Sequence, residues 1–169
     1  YRALEKNEPY DAFVRELISP SKRSEGFIKG IKWRGAQTAN QQTALQAARS
    51  VSQVFLGVNM KCASCHDSFV NRWKLAAAYG LANAFSEEPL ALYRCDVATG
   101  DMAETRFLWP ELGGIDAAAP LDERRKQTAA LVTSSENGWF SRTIVNRLWK
   151  ATMGRGLVEP LDSMDAKPW

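Results

Sequence analysis

The chain has 169 residues, 45% of them hydrophobic and 10% aromatic with six tryptophans, which is apolar mass for one domain or slightly more. Its net charge of +3 is thinly spread. The densest basic clusters, Lys22-Arg23 and Arg124-Arg125-Lys126, are short and read as solvated faces, so no nucleic-acid partner is expected.

No apolar run nears the ~20 residues of a membrane span, so none is expected. The chain opens at Tyr1 without methionine or export signal and closes on Asp165-Ala166-Lys167-Pro168-Trp169. It therefore reads as a piece of a longer parent protein.

Pro9 opens a predicted first helix that Asn7 would cap, with Tyr10, Phe13, Val14 and Leu17 on one face and Ser19-Pro20-Ser21 as the stop. Phe27 to Gly35 is punctuated by glycine and reads as loop or extended chain. A second helix is predicted from about Asn40 to Leu56. Its inner stripe is Leu45, Ala48, Val51, Ser52 and Phe55, and Gly57 ends it.

Cys62-Ala63-Ser64-Cys65-His66 follows, a C-x-x-C-H sequence. This is the attachment signature of a c-type haem: two thiols form thioethers with the vinyl groups and the adjacent histidine ligates the iron. His66 is the only histidine in the chain, so a proximal ligand could be no other residue. Three other chemistries fit less well. Structural zinc wants four ligands, and there is no second C-x-x-C beside Cys62, Cys65 and Cys95. A thioredoxin-like dithiol belongs between a strand and a helix, whereas this pair follows a helix. In cysteine-histidine hydrolysis the base reaches the thiol through space, which sequence neighbours rarely do. Cys95 is left over and is expected to be a buried structural thiol.

Asp67 or Ser68 would cap a third helix carrying Trp73, Ala76, Ala77, Gly80 and Ala84, with Leu75, Tyr79, Ala82 and Phe85 on a neighbouring stripe. Between the turn signals at 86–89, 98–101 and 113–114, Leu90 to Val97 and Thr105 to Trp109 are expected as short strands. Two further helices are predicted, near Asp122 to Thr133 and from about Trp139 to Met153. The latter has Phe140, Ile144, Leu148 and Ala151 in register and Gly154 as its stop.

Several blocks resemble large exported proteins of planctomycetes and related bacteria, in which a planctomycete-type cytochrome C domain precedes a domain of unknown function. "VSQVFLGVNMKCASCHDSF" (51–69) is similar to the haem-motif core of the first domain, and "RWKLAAAYGLANAF" (72–85) to its continuation. "PYDAFVREL" (9–17) matches the lead-in helix, and "FSRTIVNRLWKATMGRGLVEPLDSMD" (140–165) resembles the opening of the second domain. The blocks cover around half of the chain in the family's order. The members are several times longer, often with an extra module between the two domains, and no reaction is firmly assigned to them.

With that resemblance, the expected organisation is a c-type cytochrome-like domain at 1–88, a connecting segment at 89–120 and the start of a second helical domain, packed on the first, at 121–169. The expected fold is mainly α, with helices packed around a covalently attached haem and a short irregular or β-containing connection. The expected function is that of an exported, periplasmic or extracellular mono-haem unit, carrying one haem c and passing single electrons to a redox partner protein. Cys62, Cys65 and His66 would hold the cofactor, while Lys61, Asp67 and Arg72 flank it as candidates for meeting the propionates. Met102 is the first candidate for the sixth iron ligand and Met164 the next; Met60 lies too near the thioether, and Met153 is expected in the core. A haem enzyme with an open sixth position, peroxidase-like or oxygen-activating and acting on polysaccharide, is the alternative. A non-redox docking module is the other. No Ser-His-Asp set, phosphate loop or glycosidase carboxylate pair can be argued from the spacing.

Overall fold

The computed structural model describes residues 1–25, 30–31 and 38–165. Most of the predicted Phe27–Gly35 segment lies outside the described residues. Six helices and one hairpin follow in order: α1 (Arg2–Glu5), α2 (Tyr10–Ile18), α3 (Thr43–Leu56), α4 (Leu75–Ala82), β1 (Ala91–Arg94), β2 (Val97–Met102), α5 (Leu121–Val132) and α6 (Gly138–Met153). The fold is helical with one small two-stranded sheet.

α3 is the central element. Ala44, Leu45, Ala47, Ala48, Val51, Phe55 and Leu56 are all buried on it, because its small and branched side chains recur at helical spacing. α4 packs on one side of α3 and α6 on another, while α2 packs on α5. Gly57 ends α3 in the left-handed region at φ 64°, where glycine carries no Cβ penalty. A Cβ there would stand 2.8 Å from Thr143 Oγ1 and collide with the Met164 side chain. Gly57 thus lets the segment after α6 cross the end of α3, where Met164 N donates to Gly57 O at 2.9 Å and Val58 bridges Ser163.

α2 begins after Pro9 and stops before Ser19-Pro20, as the sequence predicts, but Asn7 makes no cap and sits at φ 49°. α3 starts at Thr43, not Asn40, because residues 39–41 form a separate tight turn. The predicted pair of strands is corrected more substantially. The partner of β1 is Val97–Met102, and the chain reverses over Cys95-Asp96. Thr99 and Gly100 therefore lie inside a strand, with a register irregularity opposite them. Thr105–Trp109 is no strand; it buries Phe107, Leu108 and Trp109 and passes close to α4. Arg106 N donates to Gly80 O, and a Cβ on Gly80 would meet Glu104 O at 2.8 Å.

The basic cluster at 124–126 also departs from its expected solvated state. Arg124 is buried and its guanidinium donates to the carbonyls of Asn83, Ser86 (2.8 Å) and Ala119 (3.0 Å). Asn83, equally buried, donates to Ala103 O at 2.7 Å and accepts from Leu90 N at 2.9 Å. These two side chains fasten the end of α4, the connection and α5 to one another. Trp109 stacks on Trp139 at 5.4 Å between ring centroids and takes Trp73 edge-on at 5.7 Å, so three of the tryptophans are joined as core.

Candidate functional site

The C-x-x-C-H sequence forms one tight helical turn just beyond the end of α3. Ser64 N donates to Met60 O at 3.0 Å, and His66 N donates to Cys62 O at 3.0 Å. Ala63 and Ser64 face inward and are buried, and the Ser64 hydroxyl is satisfied by Met60 O at 2.9 Å. The intervening residues therefore anchor the turn, while Cys62, Cys65 and His66 remain half-exposed. All three cysteines are free thiols.

The His66 ring is oriented by its own backbone. Nδ1 lies 2.7 Å from Asp67 O. A carbonyl can only accept, so Nδ1 donates, and in the neutral ring this leaves the lone pair on Nε2. Phe69 stacks on the imidazole at 4.7 Å between centroids, yet is 89% exposed. Asp67 accepts from Leu75 N at 3.0 Å, capping α4 across eight residues, and pairs with Lys74 at 3.6 Å. The Leu75 amide, aided by Lys74 and Arg94, holds the Asp67 carboxyl below its usual range. Ser68 instead accepts from the amides of Val70 and Asn71, bending the chain toward α4.

Three segments meet at Cys65. Asn40 Nδ2 donates to Cys65 Sγ at 3.5 Å, Cys95 N donates to Cys65 O at 2.6 Å, and Asp96 Oδ1 accepts from Ala39 N at 3.0 Å. Burial pushes the Cys65 thiol up, and the adjacent Cys95 thiol pushes it further, against a lowering by Asn40. Cys95 itself is exposed at the hairpin tip, not the buried structural thiol that the sequence suggests. Its partner contact was not legible because the reversal at Cys95-Asp96 carries no glycine or proline.

Residues 1–89 match the PSCyt2 model, described as a protein of unknown function (DUF1549). The chain belongs to the PSCyt2 family. Residues 124–168 match the PSD1 model, likewise described as a protein of unknown function (DUF1553). No curated protein and no solved structure matches the chain. In this PSCyt2 chain the hairpin that carries Cys95 lies between the two matched stretches.

The flanking candidates separate in space. Lys61 is exposed and lines a polar hollow of about 340 Å³ with Asn40, Gln41, Arg49 and Gln53. Arg49 lies within electrostatic reach of Cys65, and burial lowers its pKa. Sequence reasoning passed over Arg49 because it sits on α3, well upstream of the motif. Arg72 instead lies 4.8 Å over the Trp73 ring and lines another hollow of about 240 Å³ with Lys74 and Arg106. Met102, at the end of β2, is 58% exposed. Met164 is fully buried and its sulfur accepts from Asn146 Nδ2 at 3.6 Å, while Met60 is 1% exposed. Met153, expected in the core, is exposed at the end of α6.

The donor set fits covalent haem: two half-exposed thiols on one turn and an imidazole whose Nε2 is left free. Among the described residues no group of three or more His, Cys, Asp or Glu side chains is arranged for a metal ion. No helix among the described residues is long and apolar enough to cross a membrane.

Proposed function

We propose that this chain is an exported mono-haem c-type cytochrome unit that passes single electrons to a redox partner protein, in the periplasm or outside the cell. The observation that carries the reading is the fixed His66 tautomer on the turn that presents Cys62 and Cys65. When bound, the haem would supply a reversible one-electron couple. Cys62 and Cys65 would hold it as thioethers, and His66 would ligate the iron through Nε2. The Nδ1 contact to Asp67 O keeps that ring in one orientation and raises its basicity as a ligand. Arg49 and Lys61, sharing one polar hollow near Cys65, are suited to receive propionate charge. Arg72, in its separate hollow, is the lesser candidate for that role. Export follows from the chemistry, since bacteria make these thioethers outside the cytoplasm.

The test is the intact mass of the chain expressed with a haem-attachment system. The reading expects one haem per chain, retained after denaturation. Cys62→Ala and Cys65→Ala would each leave at most one thioether, and the double variant none. A chain that keeps its unmodified mass in a host that loads other c-type cytochromes would contradict the reading.

A second reading is an enzyme with an open sixth position. It is favoured by the burial of Met164, whose sulfur already accepts from Asn146 Nδ2, which withdraws one of the two methionine candidates for that position. Low-spin iron that turns high-spin in Met102→Ala assigns the ligand to Met102 and the protein to electron transfer. High-spin resting iron that binds cyanide rapidly assigns an enzyme.

A further inference from the structure

The hairpin tip brings a second thiol to the attachment turn. Cys95 N donates to Cys65 O at 2.6 Å. Given standard bond lengths, that contact holds the two Cα atoms no more than about 6.5 Å apart. Disulfides span Cα separations of about 4.4–6.8 Å, so the backbone already stands within bridging distance. Both thiols are free, and the Cys95 thiol lies close enough to Cys65 to raise its pKa. Cys95 holds φ 54°, a left-handed backbone that non-glycine residues seldom adopt. Such strain persists where the surroundings impose it. Here they do so through the Cys65 carbonyl, the β1–β2 pairing on either side, and Asp96 held by Ala39 N.

We infer that Cys65 and Cys95 form a reversible disulfide in the haem-free chain, pinning the hairpin tip to the attachment turn and withholding one of the two attachment thiols. Both S–H bonds break and one S–S bond forms. Two electrons and two protons pass to a disulfide donor, whose own S–S bond becomes two thiols. Reduction by a dithiol reverses the step. Cys95 is exposed, so its thiolate can attack the donor's S–S bond, and Cys65 then displaces the donor from the mixed disulfide. The pair would then act as a redox gate: the chain takes its cofactor by both thiols only when reduced. That consequence rests on the haem reading above, whereas the disulfide itself does not.

The haem-free chain is incubated with glutathione disulfide, its remaining thiols are blocked, and it is digested with trypsin without reductant. Cleavage after Lys61, Arg72, Arg94 and Arg106 places Cys62 and Cys65 on one peptide and Cys95 on another. The inference expects those two peptides joined, with a mass two hydrogens below their sum. The link should persist in Cys62→Ser and vanish in Cys65→Ser and Cys95→Ser. A bond within the 62–72 peptide, or a link to Cys95 that survives Cys65→Ser, would overturn it.

Offered to a haem-attachment system, the cross-linked chain should take haem through Cys62 alone or not at all. Cys95→Ser should load equally with and without prior reduction. Equal loading of cross-linked and reduced wild-type chain through both cysteines would remove the gate and leave the disulfide standing. Failure of the reduced chain to take haem would count against the haem reading alone.

Discussion

The attachment turn and the seam between α3 and α6 are both rich in polar side chains, but Asn146 at the seam and the side chains of the turn are used in opposite ways. At the seam, Asn146 is 1% exposed and fully used. Its amide donates to Val158 O at 2.9 Å and to the Met164 sulfur, and its oxygen accepts from Val158 N at 3.0 Å. At the turn, the thiols are half-exposed, the imidazole uses Nδ1 on Asp67 O, and Phe69 and Val70 stand in solvent. Buried polar groups with every bond made specify the fold. Half-exposed groups with spare lone pairs hold little of it and are free for chemistry.

That contrast predicts which substitutions damage the fold. Arg124→Met should have the largest effect, because it leaves Ser86 O without its donor, Asn83 O with only the long Ser86 N contact at 3.4 Å, and Ala119 O without the guanidinium. A loss of about 4 kcal/mol is expected from hydrogen bonds to a charged group and the stranded acceptors. Denaturant midpoints of the haem-free chain read this directly, and His66→Gln should shift the same midpoint by less than about 0.5 kcal/mol. Comparable losses in the two variants would break the comparison.

Gly57→Ala comes next. It combines a left-handed backbone with a Cβ placed against Met164 and Thr143. About 3 kcal/mol is expected from the conformational cost and overpacking together. Protection of the Met164 amide against hydrogen exchange should fall with it, since that amide bonds Gly57 O. A normal midpoint with normal protection would show that the seam does not depend on this close approach.

The smallest effect belongs to Asp67. Its folded pKa lies below the unfolded value, so its contribution is present above the ordinary carboxylate range and is lost as pH falls through the folded value. Asp67 is half-exposed, so solvent screens its ion pair and only a modest slope is expected. Comparing the acid limb of a pH–stability curve with that of Asp67→Asn isolates it. A steeper acid limb in the variant would reverse the assigned sign.

Much of the fold was legible because it rests on short-range rules. α2, α3, α5 and α6 follow from helical spacing and from proline and glycine punctuation, and the buried stripe of α3 holds the residues its periodicity implies. Spacing misled where tertiary contacts outweigh it. On α6 the predicted apolar series holds at Phe140, which is buried, but Leu148 and Ala151 face solvent and the helix buries Thr143 and Asn146 in their place. Asn146 goes inward because residues 158–164 return over it with backbone groups to satisfy. Arg124 looked like surface charge because nothing local signals a pocket of free carbonyls. At the site, Cys62, Cys65 and His66 were legible from five consecutive residues. Asn40, Arg49 and Cys95 were not, because their nearness to Cys65 depends on how α3 and the hairpin pack.

The central claim is that Cys62, Cys65 and His66 carry a covalent haem. The most direct measurement is the absorption spectrum of the chain in alkaline pyridine with reductant and denaturant, after expression with haem attachment and removal of free haem by acid extraction. The account predicts a c-type haemochrome that stays with the polypeptide at one haem per chain. A colourless polypeptide with three titratable thiols, from a host that loads a control cytochrome, would contradict it.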